Sequence, residues 1–376
     1  MAQVIELPRQ SDGEGFYLHF TGGFRAARVA EAAWRIEPVF VNDKPCATGP
    51  LTMDQLQVLA KQNSFRAIAF HRFGWMDGEY HASWAPIVPG KMNHSEGPAE
   101  LWSNIAGNIA RPRTEEFFKA AKHPTEAEIA KALDEQDPVE ALARYISLSL
   151  RSMDISVEQI AEHYHEQLVN HMAVGRVDGE RYANTLSQTL YAHVHSFFLH
   201  LGAARDYLGA LIAYRIGFDP QKVDSMARLV GKLQQANSQK DAILSLLFSS
   251  GFISAHAEKA GKFTVSGWMQ EVTSIRNELV HKRPYGSKFS EGSGWVVPTQ
   301  KKAGLFRYFR PLELDNNTEQ DVFDVLHNHY ARCTDLFHKA AKASGDDTAM
   351  MRITDDDVIS LNVRGSGEPN SQSFDR

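Results

Sequence analysis

The spacing of apolar residues changes from a strand period to a helix period roughly a third of the way along the chain. Up to about Pro112, aromatic and β-branched runs alternate with Gly, Pro, Asn and Asp, which is typical of short strands joined by turns. From Thr114 onward, apolar residues recur three and four positions apart, as on one face of an α-helix. We therefore predict an α+β N-terminal module followed by a mainly α-helical bundle, with a small β-hairpin late in the chain.

Together with the local composition, this change of period divides the chain into four predicted segments. Residues 1–112 form the α+β module, to which the sequence assigns no role, and residues 113–178 form a helical connector. Residues 179–345 form the helical bundle, and residues 346–376 form a flexible, polar tail.

Local signals predict the individual elements. Capping boxes, in which a Ser or Thr precedes a Glu or Gln by three residues, predict helix starts after Thr52, Thr125 and Ser156. The predicted strands are 16–20, 34–41, 64–70 and 79–84, the predicted hairpin pairs 295–297 with 305–310, and the later helices are 180–216, 221–236, 239–255, 264–282 and 318–343.

The composition excludes several classes of protein. The chain carries 40 Lys and Arg against 46 Asp and Glu, a net charge of -6, whereas proteins that coat nucleic acid have a clear cationic excess. Cys46 and Cys333 are too few for a disulfide framework. No apolar run reaches the length of about eighteen residues that a membrane span needs. We expect a cytoplasmic protein with no secretory signal and no membrane partner.

The hexamer RNELVH, from Arg276 to His281, carries the most specific chemical signal. Asn277 and His281 lie four positions apart on one helix face, and Arg276 can lean towards them from the neighbouring ridge. A guanidinium, an amide and an imidazole together suit phosphodiester chemistry. We expect Arg276 to stabilise a pentavalent phosphorane, Asn277 to orient the phosphate or the histidine, and His281 to transfer protons.

An arginine followed by a histidine five residues later also arises by chance. With 16 histidines in 376 residues, any one arginine meets such a histidine at a rate of about one in twenty, so one accidental pair is expected. Arg66 and His71 are also five apart, but they fall in a predicted strand, where an odd offset puts two side chains on opposite faces. Of the two pairs, only Arg276 and His281 pass this geometric test.

The hexamer, late in an all-helical segment and behind a long helix, resembles the Arg-polar-xxx-His signature of the HEPN superfamily. Members of this superfamily are helical bundles, and many are metal-independent endoribonucleases. The resemblance covers about residues 180–345. It implies that Arg276, Asn277 and His281 form half of a composite site, which the same residues of a second protomer complete.

The resemblance also implies a reaction and a setting. RNA would be cut by attack of its own 2′-hydroxyl, leaving a 2′,3′-cyclic phosphate, with no metal and no cofactor. An additional polar or acidic residue faces the signature in many members, and Asp206 in LGAARDYLG is the best positional candidate. Nuclease members commonly act as toxins or in antiviral defence. The implied partners are therefore RNA, a second copy of the chain, and an antitoxin or regulatory protein.

A basic and aromatic segment surrounds and follows the hexamer. Residues 272–310 contain eight basic and two acidic residues, a net charge of +6 that leaves -12 for the rest of the chain. Single-stranded RNA binding uses such cationic and aromatic side chains together. A half-buried hairpin, whose alternate aromatics pack on the bundle, explains the same pattern equally well. The residues that we expect to bind RNA are Lys282, Arg283, Tyr285, Lys288, Arg307, Tyr308 and Arg310.

Two other functions remain open. A non-catalytic HEPN-like dimer would bind nucleotides or a protein partner, and its hexamer would only cap a helix end. A di-iron carboxylate protein would use Glu162 with His165 as ligands, because a Glu three residues before a His is a known element of such bundles. It would also use Glu278 with His281. The interior of the long helix offers only Asp206 as a further acid, which is a poor match.

Overall fold

The N-terminal part of the chain forms an antiparallel sheet. The computed structural model describes residues 3–6, 14–76, 79–89, 97–121, 124–183, 185, 187–234, 240–299, 304–314 and 319–350. Seven described strands lie in the order β1-β5-β4-β3-β2-β6-β7. They are β1 (Gln3–Glu6), β2 (Gly15–Phe20), β3 (Arg25–Ala30), β4 (Ala33–Val41), β5 (Lys44–Leu51), β6 (Ala67–Met76) and β7 (Glu79–Pro86). The strands predicted from the sequence correspond to β2, β4, β6 and β7, and the structure adds the other three.

Turn and capping residues explain how the sheet is joined to its first helix. Asn42 and Asp43 have φ angles of 50° and 59°, the left-handed region that a tight two-residue hairpin requires, and they connect β4 to β5. The predicted capping box of α1 (Met53–Gln62) is confirmed. Thr52 Oγ1 accepts from the N–H of Gln55 at 3.3 Å, and the N–H of Thr52 donates to Gln55 Oε1 at 2.9 Å.

The rest of the described chain is mostly helical. Its helices are α2 (Pro98–Ala120), α3 (Glu126–Asp134), α4 (Pro138–Ala173), α5 (Ser187–Arg215), α6 (Met226–Lys232), α7 (Ala242–Ser249), α8 (Gly267–Arg276), a π-helix (Asn277–Lys282) and α9 (Val322–Ala343). Three small ribbons accompany them: β8 (Ile253–Ala255) with β9 (Phe263–Val265), β10 (Trp295–Pro298) with β11 (Phe306–Phe309), and β12 (Pro311–Leu312) with β13 (Gln320–Asp321). The predicted mixed fold, a sheet region followed by helices, is confirmed. Among these described helices, none has the length and apolar character needed to cross a membrane.

The sheet lies between α1 and α4. Side chains alternate along a strand, so Leu18 of β2 packs in one apolar cluster with Leu56 of α1, while His19 faces Glu162 of α4. A larger apolar core continues from the sheet into the helices, where Tyr164 of α4 is fully buried. The central helix α4 thus contacts both the sheet and the bundle.

One predicted domain boundary falls inside a helix. The module was expected to end at residue 112, but α2 begins at Pro98, where proline is favoured because its missing N–H has no helical partner. The helix then continues through Pro112. The predicted boundary at 112 is therefore wrong.

The predicted helix start at Ser156 is also wrong. The helix α4 begins much earlier, where the Asp137 carboxylate accepts from the N–H of Val139 at 2.7 Å. The Ser156 hydroxyl instead donates to the Ser152 carbonyl at 2.8 Å inside the helix. The segment 113–178 contains the longest described helix, so it is a central element and not a connector.

The long helix predicted at 180–216 is shorter at its start. Tyr182 forms an isolated bridge with Gly294, and α5 begins at Ser187. Its end agrees with the prediction, because Gly217 follows it with a φ of 89°. The predicted hairpin is confirmed by the pairing of β10 with β11.

The predicted tail is attached at its first residues. Arg215 Nη1 contacts the Asp346 carboxylate at 3.0 Å, and Asn108 Nδ2 donates to the Asp347 carbonyl at 3.0 Å. Residues 351–376 of the predicted tail lie outside the described residues.

Candidate functional site

The hexamer from Arg276 to His281 spans the last residue of α8 and most of the π-helix. A π-helix bonds each carbonyl to the N–H five residues later, and the Arg283 N–H donates to the Glu278 carbonyl at 2.7 Å. Residues five apart diverge by about 140° in an α-helix, whereas this bonding brings them to one side. Arg276 and His281 are therefore closer to a common face than the predicted α-helix allows, and the His281 side chain is exposed.

Arg276 lies across α5 in a space that a glycine leaves open. A Cβ at Gly202 would lie 2.6 Å from Arg276 Cδ and 2.7 Å from its Nε. Arg276 Nη1 is 3.9 Å from Asp206 Oδ2, and Asp206 Oδ1 accepts from Arg205 Nη2 at 3.1 Å. Arg276 Nε is buried and has no hydrogen-bond partner among the described residues. Asp206, the candidate for the additional acidic residue that faces the hexamer, thus lies close to Arg276.

Neighbouring bonds hold the hexamer against the bundle. Arg205 of α5 also donates to Thr273 Oγ1 of α8. Beyond the π-helix, the Tyr285 N–H donates to His195 Nε2 at 2.8 Å. Burial lowers the pKa of His195, which favours the neutral ring that this bond requires. The turn containing the hexamer is therefore tied to α5 on both sides of His281.

Three of the seven residues predicted to bind RNA are in the protein interior. Tyr285, Tyr308 and Arg310 expose 2%, 1% and 1% of their surface. Arg310 Nη2 donates to the Tyr191 hydroxyl at 2.7 Å, and its Nε donates to the Glu291 carbonyl at 3.2 Å. Their prediction as RNA contacts is wrong for this conformation, because they pack and bond inside the fold and present no surface to a nucleic acid.

The other four predicted RNA contacts all lie beside carboxylates, and three of them are also 39% exposed or less. The acids that pair with the Lys288 and Arg307 side chains lie beyond the basic window of residues 272–310, so the net charge of that window does not include them. Arg283 is held by an acid inside the window. The pairs are Lys288 with Glu313 at 2.6 Å, Arg307 with Asp324 at 2.6 Å and Arg283 with Glu291 at 2.9 Å.

Two side chains beside the hexamer stay exposed. The Lys282 side chain is 72% exposed, although its ammonium lies 3.3 Å from Glu278 Oε2. The Phe289 side chain is fully exposed. Lys301 and Lys302 of the basic window lie outside the described residues.

The di-iron ligand set does not come together in the described part of the chain. Glu278 lies beside Lys282 and Arg283, and His165 Nδ1 bonds the Gly23 carbonyl at 2.9 Å. Of the four predicted ligands, only Glu162 belongs to a group of side chains close enough to share an ion.

That group, which we call the sheet cluster, consists of His19 on β2, His71 on β6 and Glu162 on α4. Glu162 Oε1 lies 3.5 Å from His19 Nε2 and 3.6 Å from His71 Nδ1. Glu162 Oε2 accepts from Arg25 Nη1 at 3.4 Å, and Arg25 Nε donates to Glu37 at 2.8 Å. Both histidines are buried, at 1% and 6% exposure.

Burial and charge fix the protonation of the sheet cluster. Burial lowers the pKa of His19 to about 3, so this ring is neutral at neutral pH. Burial alone would raise the pKa of Glu162, but His71, His19 and Arg25 beside it hold that pKa at about 2. A neutral imidazole therefore faces an ionised carboxylate in the interior.

Sequence reasoning missed the sheet cluster as a unit. Its members come from three distant segments, so no spacing in the sequence connects them. His71 was set aside with Arg66 as an accidental pair, and Glu162 was assigned to a different ligand set. The alternation of β2 and β6 puts His19 and His71 on one face of the sheet, which was the one available signal.

No protein-family model matches the chain, and no curated protein or solved structure matches it either.

Proposed function

We propose that this chain is a metal-independent endoribonuclease of HEPN type that acts as a homodimer. One observation carries the proposal: the Arg276 guanidinium lies over Gly202, 3.9 Å from the Asp206 carboxylate, while His281 of the same hexamer is exposed. A fixed cation beside an accessible imidazole is the pair that RNA cleavage by an internal nucleophile needs.

In the proposed reaction, the 2′-oxygen of RNA attacks the adjacent phosphorus and the bond from phosphorus to the 5′-oxygen breaks. An imidazole of His281 accepts the proton of the 2′-hydroxyl. A protonated His281, from the second protomer, donates a proton to the departing 5′-oxygen, so that atoms and charge balance. Arg276 neutralises the phosphorane oxygens, and Asn277, which is exposed on the same turn, orients the phosphate.

An exposed apolar surface on α4 and α5 supports the dimer. Leu148 and Ile155 lie seven residues apart on one face of α4, and both expose 56% of their surface. Leu199 of α5 is 45% exposed. The two helices run side by side here, because the Ser156 and Ser196 hydroxyls are hydrogen-bonded at 3.0 Å. A second copy would remove these side chains from water.

The direct test is cleavage of single-stranded RNA by purified protein in EDTA. We expect the wild type to cut the RNA and to leave 2′,3′-cyclic phosphate ends, detectable by mass spectrometry. Arg276→Ala and His281→Ala should each lower the rate at least about 100-fold, as the loss of a charge-stabilising or proton-transferring group does. His256→Ala is the matched control, since this histidine lies in the same half of the chain but outside the hexamer.

Each result decides for or against the proposal. No cleavage by the wild type over a panel of RNAs, or full activity in both variants, contradicts it. Light scattering should give twice the mass of one chain, and Leu148→Glu with Ile155→Glu should give a monomer that has lost activity. A wild-type monomer that cuts RNA would remove the dimer from the proposal and keep the nuclease.

The burial of Tyr285, Tyr308 and Arg310 favours a second candidate function, that of a non-catalytic HEPN-like dimer that binds a nucleotide or a protein. This candidate predicts no RNA cleavage and saturable binding of a fluorescent nucleotide that Arg276→Ala weakens. The RNA cleavage assay separates the two functions, because they agree on the dimer and on Arg276.

A further inference from the structure

The sheet cluster contains buried ring nitrogens that form no hydrogen bond with any residue that the structure describes. His19 Nε2 and both ring nitrogens of His71 are buried and have no hydrogen-bond partner among the described residues. Each lies 3.4 to 3.6 Å from a carboxylate oxygen of Glu158 or Glu162, beyond the usual N–H···O length of about 2.7–3.2 Å. Buried polar atoms are nearly always satisfied, so the two of these nitrogens that face Glu162 Oε1, His19 Nε2 and His71 Nδ1, call for a ligand.

The separations suit a metal ion better than hydrogen bonds. Zinc binds imidazole nitrogen at about 2.0–2.1 Å and carboxylate oxygen at about 2.0–2.2 Å, so two ligand atoms of a tetrahedral ion lie roughly 3.4 Å apart. Glu162 Oε1 is 3.5 Å from His19 Nε2 and 3.6 Å from His71 Nδ1. The three ligand atoms all lie within 4.8 Å of one another.

The groups around the three side chains also match those of metal centres. A histidine that binds a metal usually donates its other ring N–H to a carboxylate, and His71 Nε2 lies 3.4 Å from Glu158 Oε1. Arg25 holds Glu162 Oε2, which leaves Oε1 to face the histidines. The positive charge of Arg25 is balanced by Glu37, which accepts from Arg25 Nε at 2.8 Å.

We infer that His19 Nε2, His71 Nδ1 and Glu162 Oε1 bind one divalent transition-metal ion of the zinc class. Two imidazoles and one carboxylate favour such an ion over Mg²⁺ or Ca²⁺, which prefer oxygen ligands alone. Water would take the fourth position, because Arg25 holds the second oxygen of Glu162 away from it. The ion would join β2 and β6 to α4, and so attach the sheet to the central helix.

The inference departs from the expectation of a chain without metal, and it holds whether or not the chain cuts RNA. Its test uses full-length protein with no polyhistidine tag. The protein is stripped with a chelator, and then portions are dialysed against Zn²⁺, Co²⁺, Fe²⁺ or Mg²⁺. We expect about one equivalent of Zn²⁺ per chain by mass spectrometry of the metal, and a rise of at least about 3 °C in the unfolding temperature, since an ion that binds only the folded state stabilises it.

Variants assign the bound ion to the sheet cluster. His19→Gln and Glu162→Gln should each lower the affinity for Zn²⁺ at least about 10-fold, as the loss of a metal ligand does. His163→Gln is the matched control, because His163 is on the same helix and its Nε2 is also buried with no hydrogen-bond partner in the described part of the chain, but its ring faces Tyr308. This control should keep one equivalent of Zn²⁺.

Cobalt gives a reading that does not depend on how stable a variant is. Wild-type protein with Co²⁺ should show the visible absorption of a four-coordinate ion, and the stripped protein should not. Failure of the wild type to retain Zn²⁺, Co²⁺ or Fe²⁺ overturns the inference. Retention of the ion in both His19→Gln and Glu162→Gln, or stronger binding of Mg²⁺ than of Zn²⁺, also overturns it.

Discussion

The sheet cluster with its neighbour Arg25, and the hexamer from Arg276 to His281 with its neighbour Asp206, use the same three kinds of group in opposite settings. These groups are an imidazole, a carboxylate and a guanidinium. The two rings of the sheet cluster expose 1% and 6% of their surface, and its members come from two strands and one helix. The hexamer is continuous in the sequence, its histidine is exposed, and only Asp206 comes from another element.

This difference in burial separates two uses of histidine. In the sheet cluster, burial keeps His19 neutral and its neighbours keep Glu162 ionised, which is the state that a metal ligand needs. An exposed imidazole such as His281 can meet a substrate and exchange protons with water. Substitutions should therefore damage folding in the sheet cluster and activity in the hexamer.

The largest expected effect is on stability. Glu162→Ala should lower the free energy of unfolding by about 2–3 kcal/mol, because it removes one partner of the buried Arg25 and the carboxylate that faces His19 Nε2 and His71 Nδ1. His281→Ala, at an exposed position, should change it by less than about 0.5 kcal/mol. Urea denaturation of both variants measures the difference. An equal loss of unfolding free energy in the two variants would contradict the distinction between a site that stabilises the fold and a site at the surface.

The same contrast explains what the sequence could and could not reveal. The hexamer is local, so its spacing can be read directly, and the capping boxes after Thr52 and Thr125 were likewise sufficient. At Ser156 the local pattern was outweighed by the apolar stripe that continues through Met153 and Val157 of α4, both fully buried. The local sequence pattern gave the wrong helix start at Ser156 because tertiary packing determined the conformation there.

Contacts between residues that are far apart in the sequence could not be predicted from the sequence. The strand β3 is rich in Arg and Ala, which are weak strand formers, and its pairing on both sides with β2 and β4 determines its conformation. The charge of the basic window was misleading for a similar reason, since Glu313 and Asp324 pair with two of its basic residues from beyond its end. Neither effect follows from the spacing of residues within one segment.

A glycine substitution tests the position of Arg276 directly. Gly202→Ala should push the Arg276 side chain away from Asp206 and lower the cleavage rate about 100-fold, an energy near 2.7 kcal/mol in the transition state. Stability should change by less than about 1 kcal/mol, since alanine favours the helix and only a flexible side chain must move. Rates and unfolding curves of the same preparation provide both measurements.

Gly231→Ala is the matched control for that substitution. Gly231 lies in the helix α6, and a Cβ there would meet no atom of the described residues within 4 Å. This variant should gain a little stability and keep full activity. Full activity in Gly202→Ala as well would mean that the space over Gly202 does not position Arg276 for catalysis.

A buried acid tests the link between burial and protonation. Asp321 caps α9, accepts from the Tyr164 hydroxyl at 2.8 Å, and has its pKa raised by burial, and further by Asp324, to about 7. The folded state then holds a proton that the unfolded chain has lost above about pH 4, so stability falls as pH rises from about 4 to 7.

Asp321→Asn has no such proton to lose and keeps a good helix cap. Relative to the wild type, its free energy of unfolding should rise by about 1 kcal/mol between pH 6 and pH 7. Denaturation at several pH values measures this change. Parallel curves for wild type and variant would show that burial does not control this carboxyl group.

The smallest expected effect concerns the exposed basic surface beside the hexamer, which the proposed function assigns to RNA. Lys282 is 72% exposed, while the Lys288 side chain is 39% exposed and its ammonium lies 2.6 Å from Glu313. Lys282→Ala should weaken RNA binding about 3-fold and lower the slope of log affinity against log salt by about 1, as the loss of one phosphate contact does. Lys288→Ala should change both quantities less, because its charge is already neutralised within the protein.

Fluorescence anisotropy over a range of salt concentrations compares the two variants. If Lys288→Ala had the larger effect, the carboxylates beyond residue 310 would not be screening the basic segment, and the contrast between an accessible hexamer and a neutralised hairpin would have to be abandoned.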